Sequence, residues 1–274
     1  MRQQTNTPRL KHSLGQNFIL DERVQAELAD LSGVGKEDAV LEIGAGSGML
    51  TRELASRCRE VRAVEVDREM IPYLKAATLS CPNVRVIQGD ALRLSLSEVT
   101  EGWEAFRIVA NLPYHITSQL MTRLLKGGLP IRSIHCMLQK ETALKLCAGR
   151  GEDGYGPLAL RAQWMYDCEV LKVYPPKVFT PPPKVDSAFL AMVRRDAPPE
   201  EVSDEDALFR LITGVFAQRR KTMLNNLTAS FQLTREDAQE VLTEAGLSET
   251  ARADRTELKA LVRITERMLE KGWL

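Results

Sequence analysis

The chain has 274 residues, of which 44% are hydrophobic and 27% charged, and its 37 basic and 37 acidic side chains cancel to zero net charge. These values are typical of a globular protein with one large domain, or one domain and a smaller appendage. They argue against a protein that binds nucleic acid over its whole surface, so any such surface must be local. Neither a signal peptide nor a run of about 18 apolar residues is present, which argues against secretion and membrane spanning.

Strand-like and helix-like segments alternate through the first two thirds of the chain, after an amphipathic helix over about 21–31. Apolar strands alternating with helices are typical of a parallel, doubly wound α/β sheet, that is, a Rossmann-like fold. The predicted strands are 39–44, 61–67, 84–90, 106–112, 133–139, 168–174 and 187–195. The predicted helices between them are 48–58, 70–79, 117–126 and 140–148, with a further helix after a glycine-rich loop.

An acidic segment marks a change in the pattern. "DAPPEEVSDED" (196–206) holds six acids and two prolines with no basic residue, as expected of a solvated linker. Beyond it the pattern is helical throughout, over about 205–217, 219–230, 234–245 and 255–271. We therefore predict a front α/β domain over 1–195, a linker over 196–205 and a helical domain over 206–274.

A glycine-rich loop follows the first strand of the sheet, in "VLEIGAGSGML". The loop does not fit the NAD fingerprint, because Met49 stands where the third glycine belongs, and it is not a P-loop. Glu65 ends the next strand and Asp90 ends the one after, so both carboxylates should reach the same sheet edge as Gly44. A nucleoside ligand without a pyrophosphate, such as S-adenosylmethionine, suits this set. The alternative is a glycine turn that only packs a helix on a strand.

An unusual motif, "NLPY", ends the fourth predicted strand. An exocyclic amine on a base is a poor nucleophile, and the Asn111 amide oxygen with a backbone carbonyl could hold such an amine in line with a methyl donor. Pro113 stiffens the turn, and the ring of Tyr114 offers a face on which an extruded base could stack. The alternative is a turn that caps the strand, with Tyr114 as a core residue.

Taken together, eight motifs in order along the chain resemble the KsgA-type small-subunit ribosomal RNA adenine dimethyltransferases. They are "HSLGQNFILD" (12–21), "EIGAGSG", "VEVD", "GDAL", "NLPY", "YGPLAL" (155–160), "FTPPPKVDSAF" (179–189) and "VFAQRRKTMLNNL" (215–227). The resemblance implies a class I S-adenosylmethionine-dependent methyltransferase domain with a small C-terminal helical domain.

The resemblance also implies roles for individual residues. Those expected to bind S-adenosylmethionine are Asn17, Ile19, Gly44, Glu65, Asp90 and Asn111. Asn111 should hold the target amine, while Tyr114 and Phe179 should lie on the two sides of the target base. The basic cluster Arg219, Arg220 and Lys221 should contact ribosomal RNA phosphates, although on sequence alone it could equally be a solvated helix end.

The activity that follows from the resemblance is dimethylation of N6 on two adjacent adenosines near the 3′ end of small-subunit rRNA, with a role in subunit assembly. No metal is expected, since the three histidines are scattered, and the odd number of cysteines without C-x-x-C spacing suggests reduced thiols in a cytoplasmic protein. We expect a monomer. Two alternatives stay open: a large-subunit rRNA dimethyltransferase that confers macrolide resistance, and an RNA-binding assembly factor that is mainly non-catalytic.

Overall fold

The computed structural model describes residues 17–274. The start of the "HSLGQNFILD" motif, 12–16, lies outside the described residues. The chain divides into two compact units, one containing the residues up to Ala143 with Asp167–Arg194, and the other containing Leu144–Tyr166 with Arg195–Leu274.

A seven-stranded sheet forms the centre of the first unit. Its strands are β2 (Ala39–Ile43), β3 (Glu60–Glu65), β4 (Val84–Gln88), β5 (Phe106–Asn111), β6 (Ile131–Gln139), β7 (Tyr166–Tyr174) and β9 (Ser187–Arg194). They lie in the order β4-β3-β2-β5-β6-β9-β7, and the first five are parallel, whereas β9 runs antiparallel to β6. Apolar side chains fill both faces of the central strands, as expected of a sheet covered by helices on both sides. The predicted Rossmann-like α/β fold is confirmed.

Four helices connect the parallel strands of this unit: α2 (Met49–Ala55), α3 (Ile71–Ala77), α4 (Leu96–Val99) and α5 (Thr117–Leu124). α1 (Glu22–Leu31) precedes these strands and α6 (Lys140–Cys147) follows them. The side chain of Asp21 caps α1 by accepting from the Arg23 amide, 2.9 Å away. The helices predicted over 48–58 and 70–79 are shorter than expected, since α2 ends at Ala55 and α3 at Ala77.

A second, very small sheet was not predicted. β1 (Phe18–Ile19) pairs antiparallel with β8 (Phe179–Thr180), so that Phe18 lies opposite Thr180 and Ile19 opposite Phe179. The pairing joins two segments about 160 residues apart in the sequence. It brings the "NFIL" (17–20) and "FTPPP" (179–183) segments together.

The second unit is helical and has its own apolar core. Its helices are α7 (Pro157–Met165), α8 (Glu205–Val215), α9 (Met223–Phe231), α10 (Arg235–Glu244) and α11 (Leu258–Glu270), preceded by the second half of α6. Asp204, Thr222 and Thr234 cap three of these helices by accepting from backbone amides three residues further on. The core includes Leu211, Leu227 and Ile264, all fully buried.

Two sequence-based boundaries fall in this unit. The helix predicted over 219–230 begins only at Met223, because Thr222 is its N-cap, so that prediction was wrong at its start. Residues 144–166, which the sequence pattern placed in the front domain, group by contacts with the C-terminal helices. The assignment of 1–195, 196–205 and 206–274 as domain, linker and domain stays a prediction.

Candidate functional site

A cavity opens at the carboxyl ends of β2, β3, β4 and β5, in the first unit. It encloses about 650 Å³ of space, part of which is open to solvent. Five of the residues predicted to bind the cofactor line it: Asn17, Gly44, Glu65, Asp90 and Asn111. Parallel strands end at one sheet edge, which explains how residues far apart in sequence meet here.

The glycine loop between β2 and α2 forms one wall of this cavity. The Gly44 and Ala45 amides donate to the Val64 carbonyl at 2.8 and 3.2 Å, which fixes the loop against β3. Gly46 has a φ of +56°, and a Cβ there would come within 2.8 Å of the Phe18 ring. A side chain at Gly46 is therefore excluded by backbone conformation and by space, and the ring lies directly on the loop.

Glu65 is held in place by backbone amides. Its Oε2 accepts from the Gly46 amide at 2.7 Å and its Oε1 from the Asp67 amide at 2.8 Å. The residue is only 4% exposed, and burial raises the pKa of Glu65 although the two amide bonds act in the opposite direction. Because both oxygens accept from backbone amides, the carboxylate is fixed in orientation before a ligand binds. Each oxygen keeps a further lone pair that can accept from a ligand hydroxyl.

The side chain of Asp90 is held by a hydrogen bond within its own turn. Its Oδ1 accepts from the Leu92 amide at 2.9 Å, and its Oδ2 lies 3.5 Å from Arg93 Nε. Arg123, on α5, supports the same loop by donating to the Ala91 carbonyl at 2.8 Å and to the Leu94 carbonyl. Sequence reasoning missed Arg123, because nothing local to it signals that its guanidinium reaches the loop after β4.

Asn111 ends β5 with its amide group oriented. Its Nδ2 donates to the Asn17 backbone carbonyl at 2.9 Å, and no described residue donates to its Oδ1. The amide nitrogen is thus used to anchor the side chain, while the oxygen can accept from a ligand. Leu112, Pro113 and Ile116 continue the cavity wall from this point.

The three remaining predicted site residues of this unit do not line the large cavity in the described part of the chain. Ile19 and Phe179 are register partners, each 2% exposed, and both pack in the apolar core of the unit. The hydroxyl of Tyr114 shares a hydrogen bond with the buried Ser187 hydroxyl, and its ring is partly buried. Phe18, which was not singled out, lines the cavity instead of Ile19, because neighbouring residues of a strand face opposite sides.

The basic cluster of the second unit lies in the turn between α8 and α9. All three of its residues, Arg219, Arg220 and Lys221, are exposed. Arg219 forms one long ion pair, in which its Nη2 lies 3.8 Å from Asp153 Oδ1. The Met223 amide donates to the Ala251 carbonyl at 2.8 Å, which brings the segment holding Arg252 beside this turn. The cluster is therefore not a helix end but an exposed turn that adjoins a further exposed arginine.

The sequence predicted neither a metal site nor a membrane-spanning helix. No group of three or more metal-ligating side chains is found among residues 17–274. Within the same range no helix combines the length and apolar character needed to cross a membrane.

Known proteins resemble this chain over nearly its full length. A ribosomal RNA small subunit methyltransferase A from Shouchella clausii is 37% identical over 266 residues, covering 94% of this chain and 89% of its own. A protein of the same name from Bacillus cereus (strain B4264) is 38% identical, covering 89% of this chain and 86% of its own.

Solved structures agree on the fold. The 23S rRNA methyltransferase ErmE superposes with a TM-score of 0.71 at 27% identity, over 92% of this chain and 99% of its own. A dimethyladenosine transferase from Plasmodium falciparum gives a TM-score of 0.80 at 22% identity, over 93% and 98%, and shows the fold alone.

The family model for ribosomal RNA adenine dimethylase matches residues 7–269. The match confirms the resemblance inferred from the ordered motifs, and with it the interpretation of the chain as an rRNA adenine dimethyltransferase. The chain belongs to the ribosomal RNA adenine dimethylase family.

Proposed function

We propose that this protein transfers two methyl groups from S-adenosylmethionine to N6 of each of two adjacent adenosines near the 3′ end of small-subunit rRNA. The observation that carries the proposal is the placement of Asn111, whose anchored amide presents an acceptor oxygen to the same cavity as Glu65 and Asp90. The relatives named as small-subunit methyltransferases support the choice of subunit.

The residues of the cavity fit S-adenosylmethionine. The oriented carboxylate of Glu65 suits a pair of ribose hydroxyls, and Asp90 lies at the neighbouring strand end for the adenine ring. Acids line the cavity, with no Lys, Arg or His among the lining residues described, as a cationic ligand requires. When bound, S-adenosylmethionine supplies an electrophilic methyl group on a sulfur that is already a good leaving group.

The chain's own contribution to the reaction is positioning. Asn111 Oδ1 would accept one N–H of the target amine while a carbonyl of the "NLPY" turn accepts the other, which holds the nitrogen lone pair in line with the methyl group. Tyr114 and Phe179 would lie on the two sides of the base. Phe179 is 2% exposed, so a base can reach its ring only after neighbouring side chains move.

Selection of the RNA would come from the second unit. Arg219, Arg220 and Lys221 are exposed on a turn and suited to phosphate contacts, which position a protein on RNA without reading sequence. Zero net charge argues against capture of arbitrary RNA. Action as a monomer, in the cytoplasm and without a metal stays a prediction.

A second candidate function is methylation of large-subunit rRNA. It is favoured by the likeness to ErmE, at a TM-score of 0.71 and 27% identity. The small-subunit relatives weigh against it, because they are 37–38% identical over most of the chain.

The test is to map N6,N6-dimethyladenosine in ribosomal RNA from cells with and without this protein. The proposal predicts that two adjacent dimethyladenosines near the small-subunit 3′ end disappear when the protein is absent. Loss of a large-subunit modification instead would establish the second candidate, and no change in either RNA would leave the assembly-factor alternative.

A further inference from the structure

The far end of the Tyr114 side chain is held by a residue of another strand. Its hydroxyl shares a hydrogen bond with the Ser187 hydroxyl, and Ser187 is its one hydrogen-bond partner among the described residues. Ser187 is the first residue of β9 and is fully buried. Tyr114 comes three residues after the end of β5 at Asn111, so the bond links two strands that are not neighbours in the sheet.

This hydrogen bond lies at the sheet edge that carries the cofactor cavity. Asn111 ends β5 opposite Met137 of β6. Two residues further on, β6 ends at Gln139, which lies opposite Ser187. Ser187 is therefore at the carboxyl end of β6, on the side away from β5. The Tyr114 side chain spans the end of β6 to reach it.

Both ends of the Tyr114 side chain are thus fixed. At the backbone end, the Ile116 amide donates to the Pro113 carbonyl at 3.2 Å, which closes the turn around Tyr114. Pro113 and Ile116 both line the cofactor cavity, so this turn is part of the cavity wall. At the other end, the bond to Ser187 fixes the direction of the ring axis, which an untethered side chain could change by moving between rotamers.

We propose that Ser187 is a positioning residue for methyl transfer, because it holds the Tyr114 ring in the orientation on which the target adenine stacks. This inference rests on the proposed function. The target nitrogen must lie in line with the methyl group, and a misplacement of about 1 Å can slow such a reaction by roughly 100-fold. A base stacked on a ring that can swing spends less time in that alignment. Ser187 acts through Tyr114 and needs no contact with the base or the methyl donor.

A hydrogen bond between two buried hydroxyls can also serve stability alone, since a buried phenol usually has a partner. The two roles differ in what a substitution changes. If the bond serves only stability, folded variants transfer methyl groups at the wild-type rate. If the bond positions the ring, folded variants bind S-adenosylmethionine normally and transfer methyl groups more slowly when donor and RNA are both saturating.

The test is a double-mutant cycle on Tyr114→Phe and Ser187→Ala, which measures single-turnover methyl transfer to purified small subunits that lack the modification. Each single variant should be slower by roughly 3- to 10-fold, the effect of losing one neutral hydrogen bond. The double variant should be no slower than the slower single variant, because either substitution removes the same bond. Ser133→Ala is the matched control and should keep the wild-type rate. Ser133 is also buried and bonded to a side chain, Arg107 at 3.3 Å, but lies near the amino end of β6.

Thermal unfolding confirms the fold of each variant, and calorimetric titration should show wild-type affinity for S-adenosylmethionine in all of them. Losses that multiply in the double variant, to roughly 10- to 100-fold, would show that the two residues act independently. A wild-type rate in folded Ser187→Ala would show that the bond serves stability alone, and either result overturns the inference. If Ser187→Ala does not fold, Tyr114→Phe decides: a slower rate at unchanged donor affinity supports the inference, and an unchanged rate overturns it. A wild type that methylates no small subunit would instead contradict the proposed function itself.

Discussion

The cofactor cavity and the basic turn show two different ways to build a binding site. In the cavity, Glu65 is 4% exposed and both of its oxygens are already held by backbone amides. On the turn, Arg219 has half of its side chain exposed and one loose ion pair at 3.8 Å. A site that is oriented before binding loses much when one group is removed, whereas exposed cations act additively and are screened by salt.

The two regions also differ in the sign of their charge. Acids line the cavity and bases occupy the turn, so a chain with zero net charge carries two local fields of opposite sign. The cavity suits a small cationic ligand, and the turn suits phosphates. Overall composition could exclude a generally basic protein, but it could not show this separation.

The largest loss of activity should follow Asn111→Ala. Removing the acceptor oxygen that positions the amine should slow methyl transfer by roughly 10²–10³-fold, the effect of losing one preorganised polar group in a transition state. Single-turnover methyl transfer measures it, with thermal unfolding to confirm the fold. Asn83→Ala is the matched control, because Asn83 Nδ2 also anchors backbone carbonyls, at 2.9 and 3.1 Å, but lies outside the cavity lining. Near wild-type methyl transfer by Asn111→Ala would show that "NLPY" is only a structural turn at the end of the strand.

A smaller but still large effect is expected for Glu65→Ala. Loss of charge-assisted hydrogen bonds to the ribose costs roughly 2–3 kcal/mol, or about 30- to 150-fold in affinity for S-adenosylmethionine. Calorimetric titration measures the affinity, and Glu98→Gln serves as a control for the loss of one carboxylate at the surface. Unchanged affinity in a folded Glu65→Ala protein would contradict its role.

The basic turn should respond differently, through salt. Replacing Arg219, Arg220 and Lys221 with Ala should weaken binding to small subunits and lower the log–log salt slope by about 0.7–0.9 for each phosphate that is no longer neutralised. Affinity for S-adenosylmethionine should not change. The matched control replaces three exposed bases of the first unit, Arg59, Arg85 and Lys126, and should keep the wild-type slope. If the two triple variants behave alike, the turn is only a solvated surface.

The smallest effect on activity is expected at His135, which supports the sheet below the site. It lies opposite Val109, is 4% exposed, and burial followed by the nearby charge of Arg107 lowers the pKa of His135 to about 4. A lowered pKa stabilises the fold above the unfolded value of about 6.5, and this stability is lost as the pH falls towards 4. Between pH 7 and pH 5 the loss should be about 2 kcal/mol.

Denaturant unfolding at these two pH values checks this. His135→Gln should flatten the dependence on pH, while His115→Gln, at an exposed histidine, should leave it as in the wild type. An unchanged pH dependence in His135→Gln would show that other groups cause the acid sensitivity.

The sequence predicted the parallel part of the sheet well, because its strands are rich in apolar and β-branched residues. Their carboxyl ends are marked by Gly44, Glu65, Asp90 and Asn111, at or just after the last strand residue. The sequence did not predict the pairing of β1 with β8, since two-residue strands have no periodicity and their partners are far apart in the chain. For the same reason it could not show that Phe18 faces the cavity while Ile19 and Phe179 face the core.

The start of α9 was predictable in principle. Thr222 is of a residue type favoured at the N-cap of a helix, and the Asn225 backbone amide does donate to its hydroxyl. The apolar periodicity alone extended the helix backwards over the basic cluster. A cap residue is therefore a better guide than periodicity to whether such a cluster lies on a helix or in a turn.

The central claim is that the cavity supplies the chemistry and the basic turn helps to choose the RNA. It is tested most directly by tritiated methyl transfer from S-adenosylmethionine to purified small subunits, large subunits and a short adenine-containing RNA. The wild type should methylate small subunits far better than the other two, and the triple variant of Arg219, Arg220 and Lys221 should lose most of that preference while binding S-adenosylmethionine normally. Equal methylation of all three substrates by the wild type, or preferred methylation of large subunits, would contradict it.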